Sequence, residues 1–502
     1  MTSEVVTTSS PNTRRLDAVA PWRDRRTIGY IVAATAVFAL LAVWSRPHEY
    51  WLDEAYSLAA APRPWTSIRG EHGTMSAFYV MIAGWTRVST SPWWIRALPI
   101  VTMATALITF TLLTVRQFGR AVGARAGILA ASAYIVVDLG NEIRSYALVS
   151  LIVVTSWAAL DHGIASPTQR RWWVLHAGCC VLLPFTHGLA MMQLGAQALA
   201  LLASRPGRPC IQRALAGYGA GGAVLLALVA NGLGKEGPAN WDPPPKWSDL
   251  PAVLSEYSSP VPILALIMAT MMIIGAVIAT RSAIAASTPL ERFRHLQPLA
   301  WGVVSFSALL AFSLVHNHLI PRYTTASAFG FSLLLAIGAE RLDRPMPRIP
   351  LATIALLITS LIGIAILAER EPRAWTNAIT YLEAESAPGD AIIFPTDDVR
   401  LPFEANWNRD DRATELELLG TGEQLGTLRR YGPPRTIDDL VAATADADRI
   451  WVVNQGYAHV PDQTPAFLAA MAPEFEAVTD ESFGRGVSIT LLQRSDLGTH
   501  RS

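Results

Sequence analysis

The sequence predicts a mainly α protein, a polytopic transmembrane helical bundle of about eleven spans, with a long first outer loop carrying interfacial helices and a small C-terminal extracytoplasmic α/β domain. Three observations predict it. The 502 residues are 51% hydrophobic and only 16% charged, too apolar for a soluble chain of this length. Apolar runs of spanning length recur up to residue 368, and the arginines between them fall in alternate connections. After Glu369 the pattern changes to short apolar strands and amphipathic helices, rich in Asp and Glu and without Lys. The formal net charge of zero averages over these two regions.

Residues 1–26 read as a cytoplasmic tail, in which Arg14, Arg15, Arg23, Arg25 and Arg26 precede the apolar run Thr27–Trp44. No A-x-A-like cleavage site follows that run, so it reads as an uncleaved first helix rather than a signal peptide. Ten further runs follow, at 97–115, 122–139, 143–160, 172–187, 188–203, 214–232, 260–280, 298–316, 322–340 and 349–368. Pro184 and Gly188 are expected to break the two around "PFTHG". With the N-terminus cytoplasmic, the loops holding Arg116, Arg120 and Arg125, then Arg170 and Arg171, then Arg205, Arg208 and Arg213, then Arg281, Arg292 and Arg294, then Arg341, Arg344 and Arg348 are all cytoplasmic. The positive-inside rule asks for this.

One run would spoil the alternation. If Thr74–Val88 crossed, every later loop would change sides, so it is placed along the outer interface, where its Trp and Tyr suit it. The first outer loop then runs over 46–96 within a transmembrane domain of 27–368, with Trp51, Trp65, Trp85, Trp93 and Trp94 as anchors. Beyond it, "AWTNAITYLEAESA" reads as a helix, "PGD" as a turn, and "AIIF", "RIWVVNQ" and "VSITLLQ" as strands of a domain over 369–502, outside the cytoplasm. Cys179 and Cys180 are neighbours in an apolar run and Cys210 sits in a basic loop, so no disulfide framework is expected.

The stretch "HEYWLDEAYSLAAAPRPW" places adjacent carboxylates, Asp53 and Glu54, at the predicted outer end of the first helix. An ionisable pair at membrane depth is costly and points to function. Asp53 is also a candidate N-cap for the short helix "EAYSLAAA", a role compatible with catalysis.

These residues carry a resemblance. "DEAYS" in the first outer loop is similar to the acidic motif of the GT-C membrane glycosyltransferases, the superfamily of protein O-mannosyltransferases and lipid A aminoarabinose transferases. "TMSAFYVMIAGW", "WWIRALPIV", "EIRSYALVSLIVV" and "IPRYTTASAFGFSLLLAIG" resemble that superfamily's interfacial and later helices in the same order, and "AWTNAITYLEAESAPGDAIIF" resembles the start of its external domain in bacterial members. One departure stands out. Many relatives carry a His-Pro-Pro-Leu-Tyr-like run before the interfacial helix, and here His72-Gly73-Thr74-Met75 replaces it.

The resemblance implies an inverting glycosyltransferase that moves a sugar from a polyprenyl-phosphate monosaccharide to an acceptor hydroxyl on a lipid, a cell-wall glycan or a protein. The reaction belongs on the outer face of a bacterial cytoplasmic membrane. Such chemistry needs a carboxylate to take the acceptor proton and cations to stabilise the departing lipid phosphate. Asp53 is the expected base and Glu54 its support. Arg144 and Arg322 each begin a predicted span on the outer side and are the expected phosphate ligands, with structural ion pairing as the alternative for each. His72, His187, His316 and His318 are candidate substrate-binding residues, as are Tyr146 and Tyr323, which interfacial anchoring explains equally well.

The outer segments carry no dense metal-ligand motif and a lipid monophosphate does not demand a metal, so no cofactor is expected. The expected partners are the lipid-linked donor, membrane lipids and a cell-envelope acceptor, with no nucleic acid. Arg- and Ala-rich composition points to a GC-rich bacterium and, for an actinobacterial source, to mannose or arabinose as the first donors to try. Two other classes fit a polytopic chain: a transporter or flippase of lipid-linked precursors, which would show repeat symmetry that is not apparent here, and a membrane scaffold or sensor.

The arginine distribution generates a direct test of topology. A cysteine introduced at Ser57 or in the domain after Glu369 reacts with a membrane-impermeant thiol reagent in intact cells with an opened outer barrier, and one at Ser287 does not. Equal labelling on the two sides refutes the arrangement.

Overall fold

The structure is a computed structural model and describes residues 24–45, 49–232, 250–316, 319–343, 350–369, 374–396, 398–407, 417–420, 436–456 and 462–495. These fall into two compact units. One takes its residues from 1–46, 96–233 and 244–368, the other from 47–95 and 369–502. Residues of the first outer loop thus cluster with the C-terminal segment.

The first unit is helical, and its helices lie on every apolar run expected to span. Among the described residues, six helices are long and apolar enough to cross a membrane by length and composition: Arg25–Trp44, Pro92–Ala131, Tyr146–Ala165, Arg208–Gly232, Pro262–Ala285 and Pro289–Val315. Gly188–Ser204 and Leu351–Ile366 are shorter apolar helices. The chain is a multi-pass membrane protein by this measure. Pro92–Ala131 is in fact two helices, because Gly119 takes φ 82° and reverses the chain. A Cβ on Gly123 would lie 2.4 Å from the Val115 nitrogen, and one on Gly127 2.4 Å from the Thr111 hydroxyl, so the two limbs touch closely. The reversal falls inside the expected Arg116–Arg125 connection.

Three local breaks interrupt the helices, of which the one at Pro184 and Gly188 is expected from the sequence and the other two are not. The run over 122–139 is interrupted between Ala131 and Tyr134, where Ala133 is extended and the Ser132 hydroxyl donates to the Leu129 carbonyl. Arg170–Leu182 gives way to a 3₁₀ turn, Leu183–Phe185, at Pro184, and a second one, Gly188–Met191, starts the return. Pro298 removes an N–H and crowds the turn before it, and the helix rewinds as a π-helix over Leu299–Val304, where the Ser305 N–H reaches back to the Ala300 carbonyl.

Charge sorts the ends of this bundle. Arg120 pairs with Asp24 (2.9 Å), the N-cap of the first helix, and Arg125 pairs with Glu340 (2.5 Å) and Asp343 (3.4 Å). Arg294 and Arg116 share the buried carboxylate of Asp161 at 2.8 and 3.6 Å. The Thr27 hydroxyl and, more weakly, the Arg120 charge hold the Asp24 carboxyl below the usual carboxylate range. The start of the first helix, the 116–125 turn, and residues 161, 294 and 340–343 therefore share one end of the bundle. That is the end the arginine count assigns to the cytoplasm. An uncrossed 74–88 run requires this outcome, and helix Ser76–Thr86 has only 11 residues, too few for a bilayer of about 30 Å.

Trp157, Trp301, Phe110, Phe293 and Phe329 fill the bundle interior, with Trp157 stacked on Trp301 at 5.4 Å. Helices approach closely through glycine: a Cβ on Gly275 would lie 2.0 Å from the Leu334 carbonyl oxygen, and one on Gly338 2.4 Å from that of Met271. Cys179, Cys180 and Cys210 are free and buried.

Among the described residues, the second unit holds a five-stranded sheet of β1 (Ala391–Phe394), β2 (Glu417–Gly420), β3 (Arg449–Gln455), β4 (Phe475–Gly484) and β5 (Val487–Arg494), in the order β2-β1-β3-β5-β4. β1 runs parallel to β2 and β3, and β5 is antiparallel to β3 and β4. Alternate residues serve opposite faces. Ile392, Phe394, Trp451 and Val453 pack against helix Ala374–Glu385, while Ile393, Ile450 and Val452 pack against Leu440 and Phe467 on the other side. The first-loop helices Leu52–Ala60, Pro64–Gly70 and Ser76–Thr86 belong to this unit. Ser57 is fully buried there, so the outer labelling probe belongs on an exposed residue such as Ser482.

Glycine packing gives a stability test. Gly275→Val forces its helix away from Leu334 and is expected to cost about 1–3 kcal/mol, lowering the melting temperature in detergent. Gly219→Val leaves it unchanged, since nothing lies within 4 Å of where a Cβ would stand. Equal melting of both variants contradicts the close approach.

Candidate active site

The acidic motif opens helix Leu52–Ala60. Trp51 is its N-cap, in an extended conformation and without a side-chain cap, and Asp53 and Glu54 lie in the first turn. Asp53 is therefore not the N-cap that the sequence allowed. Both carboxylates sit where the helix dipole favours negative charge. Asp53 is half-buried and Glu54 is 1% exposed. The small residues Ala55 and Ala59, one turn apart, are buried against Leu401 and fix the opposite face of the helix.

His72 lies in the same unit, in a segment of unusual backbone. His72, Gly73 and Met75 take φ of 54°, 94° and 56°. Only the glycine adopts such angles at no cost, and left-handed non-glycine residues concentrate at functional sites. Local bonds hold the segment: the Gly73 N–H donates to Ile68 O at 2.8 Å, and the Thr74 N–H and hydroxyl donate to Glu71 O at 3.0 and 2.7 Å. This is the stretch where the sequence departs from the resembling superfamily.

In the helical unit, three expected outer connections converge. His187, extended between two 3₁₀ turns, lies between two tyrosines, with ring centroids 5.8 Å from Tyr146 and 4.7 Å from Tyr323. Arg322, on the 3₁₀ turn Pro321–Thr324, places its guanidinium 5.9 Å from the Tyr323 ring. Tyr146, His187, Arg322 and Tyr323 are thus brought together from positions up to 177 residues apart (323 − 146). Arg144 stands just before helix Tyr146–Ala165, half-buried beside the buried Glu142, and its backbone N–H donates to the Glu142 carbonyl at 2.8 Å. His316 ends helix Ser305–His316; its side chain and His318 lie outside the described residues.

Sequence reasoning missed Arg96. It is 3% exposed and donates to the Asn141 carbonyl at 3.1 Å, next to the Glu142–Tyr146 segment. A lone arginine within "WWIRALPIV" was the available signal. Among the described residues, no group of three or more His, Cys, Asp or Glu side chains is placed to hold a metal ion. The helical unit offers aromatic faces beside a guanidinium fork, suited to a sugar and a phosphate. The other unit offers two adjacent carboxylates, suited to proton transfer.

The chain shares its fold with solved structures of ArnT and of an archaeal oligosaccharyltransferase. Among solved structures, the chain is similar to ArnT from Cupriavidus metallidurans bound to undecaprenyl phosphate, with a TM-score of 0.60 and 13% identity, covering 92% of this chain and 98% of that one. It is also similar to the Archaeoglobus fulgidus oligosaccharyltransferase in its apo form, with a TM-score of 0.55 and 11% identity over 86% of this chain and 70% of that one. The archaeal enzyme AglB from Archaeoglobus fulgidus, in complex with an inhibitory peptide and a dolichol-phosphate, matches with a TM-score of 0.52 at 11% identity, over 86% and 70% of the two chains. No protein-family model and no curated protein sequence matches the chain. At these identities the likeness is one of fold.

Proposed function

We propose that this chain is an inverting membrane glycosyltransferase that moves a sugar from a polyprenyl-phosphate monosaccharide to an acceptor hydroxyl on the outer face of a bacterial cytoplasmic membrane. The observation that carries this reading is the fold shared over 92% of the chain with a protein bound to undecaprenyl phosphate. The acidic pair in the first outer loop supports it.

In the proposed reaction the acceptor oxygen attacks the sugar C1 as the bond from C1 to the phosphate oxygen breaks, and its electron pair leaves with the lipid phosphate. Asp53 takes the acceptor proton, and Glu54 supports the loop. Arg322 and Arg144 hold the phosphate through bidentate contacts, which need no metal. Tyr146, Tyr323 and His187 offer ring faces to the sugar. His72, His316 and His318 are proposed to line the substrate path. The acceptor is a lipid, a glycan or a protein of the cell envelope.

Turnover of radiolabelled polyprenyl-phosphate sugars by purified protein tests this reading, because a transferase consumes donor and releases lipid phosphate whereas a flippase or scaffold leaves it intact. Asp53→Asn removes the proton acceptor and is expected to lower turnover at saturating donor by about 10²–10⁴-fold. Its cost to the helix is only about 0.3–1 kcal/mol of dipole interaction. Glu54→Gln is milder. Wild-type turnover by Asp53→Asn removes the base assignment, and a larger loss in Glu54→Gln reverses the two roles.

Arg322→Lys keeps the charge and loses the fork. Donor KM is expected to rise about tenfold or more, the equivalent of one lost charge-assisted hydrogen bond, while abundance holds. Unchanged donor KM and kcat in a well-expressed protein return Arg322 to a structural role.

A further inference from the structure

We infer that the C-terminal segment Asp398–Asn406 is a positioning element for Asp53, gripping the acidic helix on both sides of that carboxylate. The inference rests on the proposed role of Asp53 as base and adds a part to it. Its residues lie more than 340 positions away in sequence.

The grip has three contacts. Three residues before Asp53, the Tyr50 N–H donates to Asn406 Oδ1 and the Tyr50 carbonyl accepts from Asn406 Nδ2, both at 2.7 Å. This is a two-way amide pair that reads backbone alone and fixes both distance and angle. Asn406 Nδ2 also donates to the Pro402 carbonyl at 2.8 Å, which holds the amide in that rotamer. Three residues after Asp53, the Tyr56 hydroxyl donates to Asp398 Oδ1. Between them, Ala55 and Ala59 are buried on Leu401, which is itself fully buried.

None of these contacts uses the Asp53 carboxylate. They fix the chain that carries it. A nine-residue helix is marginal by itself, so its place and tilt come from what it packs on. The gripping segment is in turn rooted in the sheet. Phe403 and Trp407 are buried, and Phe403 meets Phe394 of β1 at 5.0 Å and Trp375 at 6.0 Å. Arg400 pairs with the buried Glu404 one turn on, at 2.9 Å, which stiffens the helix Arg400–Asn406. Asp398 takes φ 68°, a left-handed conformation that Asp and Asn tolerate better than other side-chain-bearing residues. That backbone turns the segment just past β1. A fourth bond, from the Thr376 N–H to Glu49 Oε1 at 2.7 Å, ties the same strip of loop to helix Ala374–Glu385. A small domain with no expected catalytic residue thereby acquires a task in transfer, through geometry.

A shift of about 1 Å in a reacting group costs up to about 10²-fold in rate, which sets the expected size of the effect. Tyr56→Phe and Asn406→Ala are expected to lower kcat per folded molecule by about tenfold or more, with donor KM within about twofold of wild type. Asp398→Asn, whose amide oxygen accepts from Tyr56 and whose backbone tolerates the left-handed angle, retains wild-type kcat, whereas Asp398→Ala does not. In an Asp53→Asn background, Tyr56→Phe adds no further loss. Hydrogen exchange supplies a readout independent of turnover: amides of Leu52–Ala60 exchange faster in Tyr56→Phe and Asn406→Ala, while those of β1 do not.

Unchanged kcat in both variants, or losses that add fully to that of Asp53→Asn, overturn the inference while leaving glycosyl transfer standing. If wild-type protein consumes no polyprenyl-phosphate sugar, the proposed function fails. The exchange experiment still decides then whether this segment holds the acidic helix, and unaltered exchange overturns the grip.

Discussion

Guanidinium groups do not rest unpaired in hydrocarbon, and the arrangement of this chain follows from where its arginines are allowed to be. At one end of the bundle four of them are matched to named acids. Arg294 and Arg116 share Asp161, Arg125 bridges to Glu340 and Asp343, and Arg120 meets Asp24. Gln117 joins this set by donating to Asp161 at 3.1 Å and to Gln297 at 2.8 Å. Each pair links helices distant in sequence, so the connections that carry them are gathered at one end. Asp161 is fully buried, and removing one of its partners leaves an uncompensated charge, at a cost of about 3–5 kcal/mol, whereas the partly exposed Arg120–Asp24 pair is screened by solvent. These pairs therefore fix the register of helices whose apolar faces, in lipid, have little reason to choose one neighbour over another. Arg96 instead donates to the Asn141 carbonyl, and Arg144 and Arg322, at the polar connections that hold Tyr146 and Tyr323, have a lipid phosphate as their proposed ligand.

The helical unit was legible because spanning runs and basic loops are one-dimensional signals. What they could not carry was local or long-range. The extended break at Ala133 and the π-helix after Pro298 depend on one or two residues inside runs whose average hydropathy is unbroken. The sequence allows Asp53 as an N-cap only if the helix starts after it. In the structure the helix starts at Leu52, and Asp53 falls within the first turn. Arg96 escapes a reading by apolarity because it sits at the boundary of a run that begins at residue 97.

In the C-terminal segment the strands β1, β3 and β5 were readable as apolar runs bounded by turns, being buried on both faces or nearly so. β2 has four residues, and β4 is an edge strand whose residues are mostly exposed, so neither leaves an alternating apolar pattern. The gathering of Tyr146, His187, Arg322 and Tyr323 was foreshadowed only by their shared place at the ends of predicted spans. The bond between Asn406 and Tyr50 left no trace in the sequence, since an amide that reads backbone demands nothing of its partner's side chain.

The proposed transfer is a single displacement at the sugar carbon with Asp53 as proton acceptor. Its stereochemical consequence is inversion, since nothing in that scheme holds the sugar covalently between donor and acceptor. The most direct measurement is the anomeric configuration at C1 of the transferred sugar, read by NMR on product made by purified protein from a donor of known configuration. Complete inversion is the expected result. Retention, or no product from any polyprenyl-phosphate sugar while the protein is folded in detergent, contradicts it.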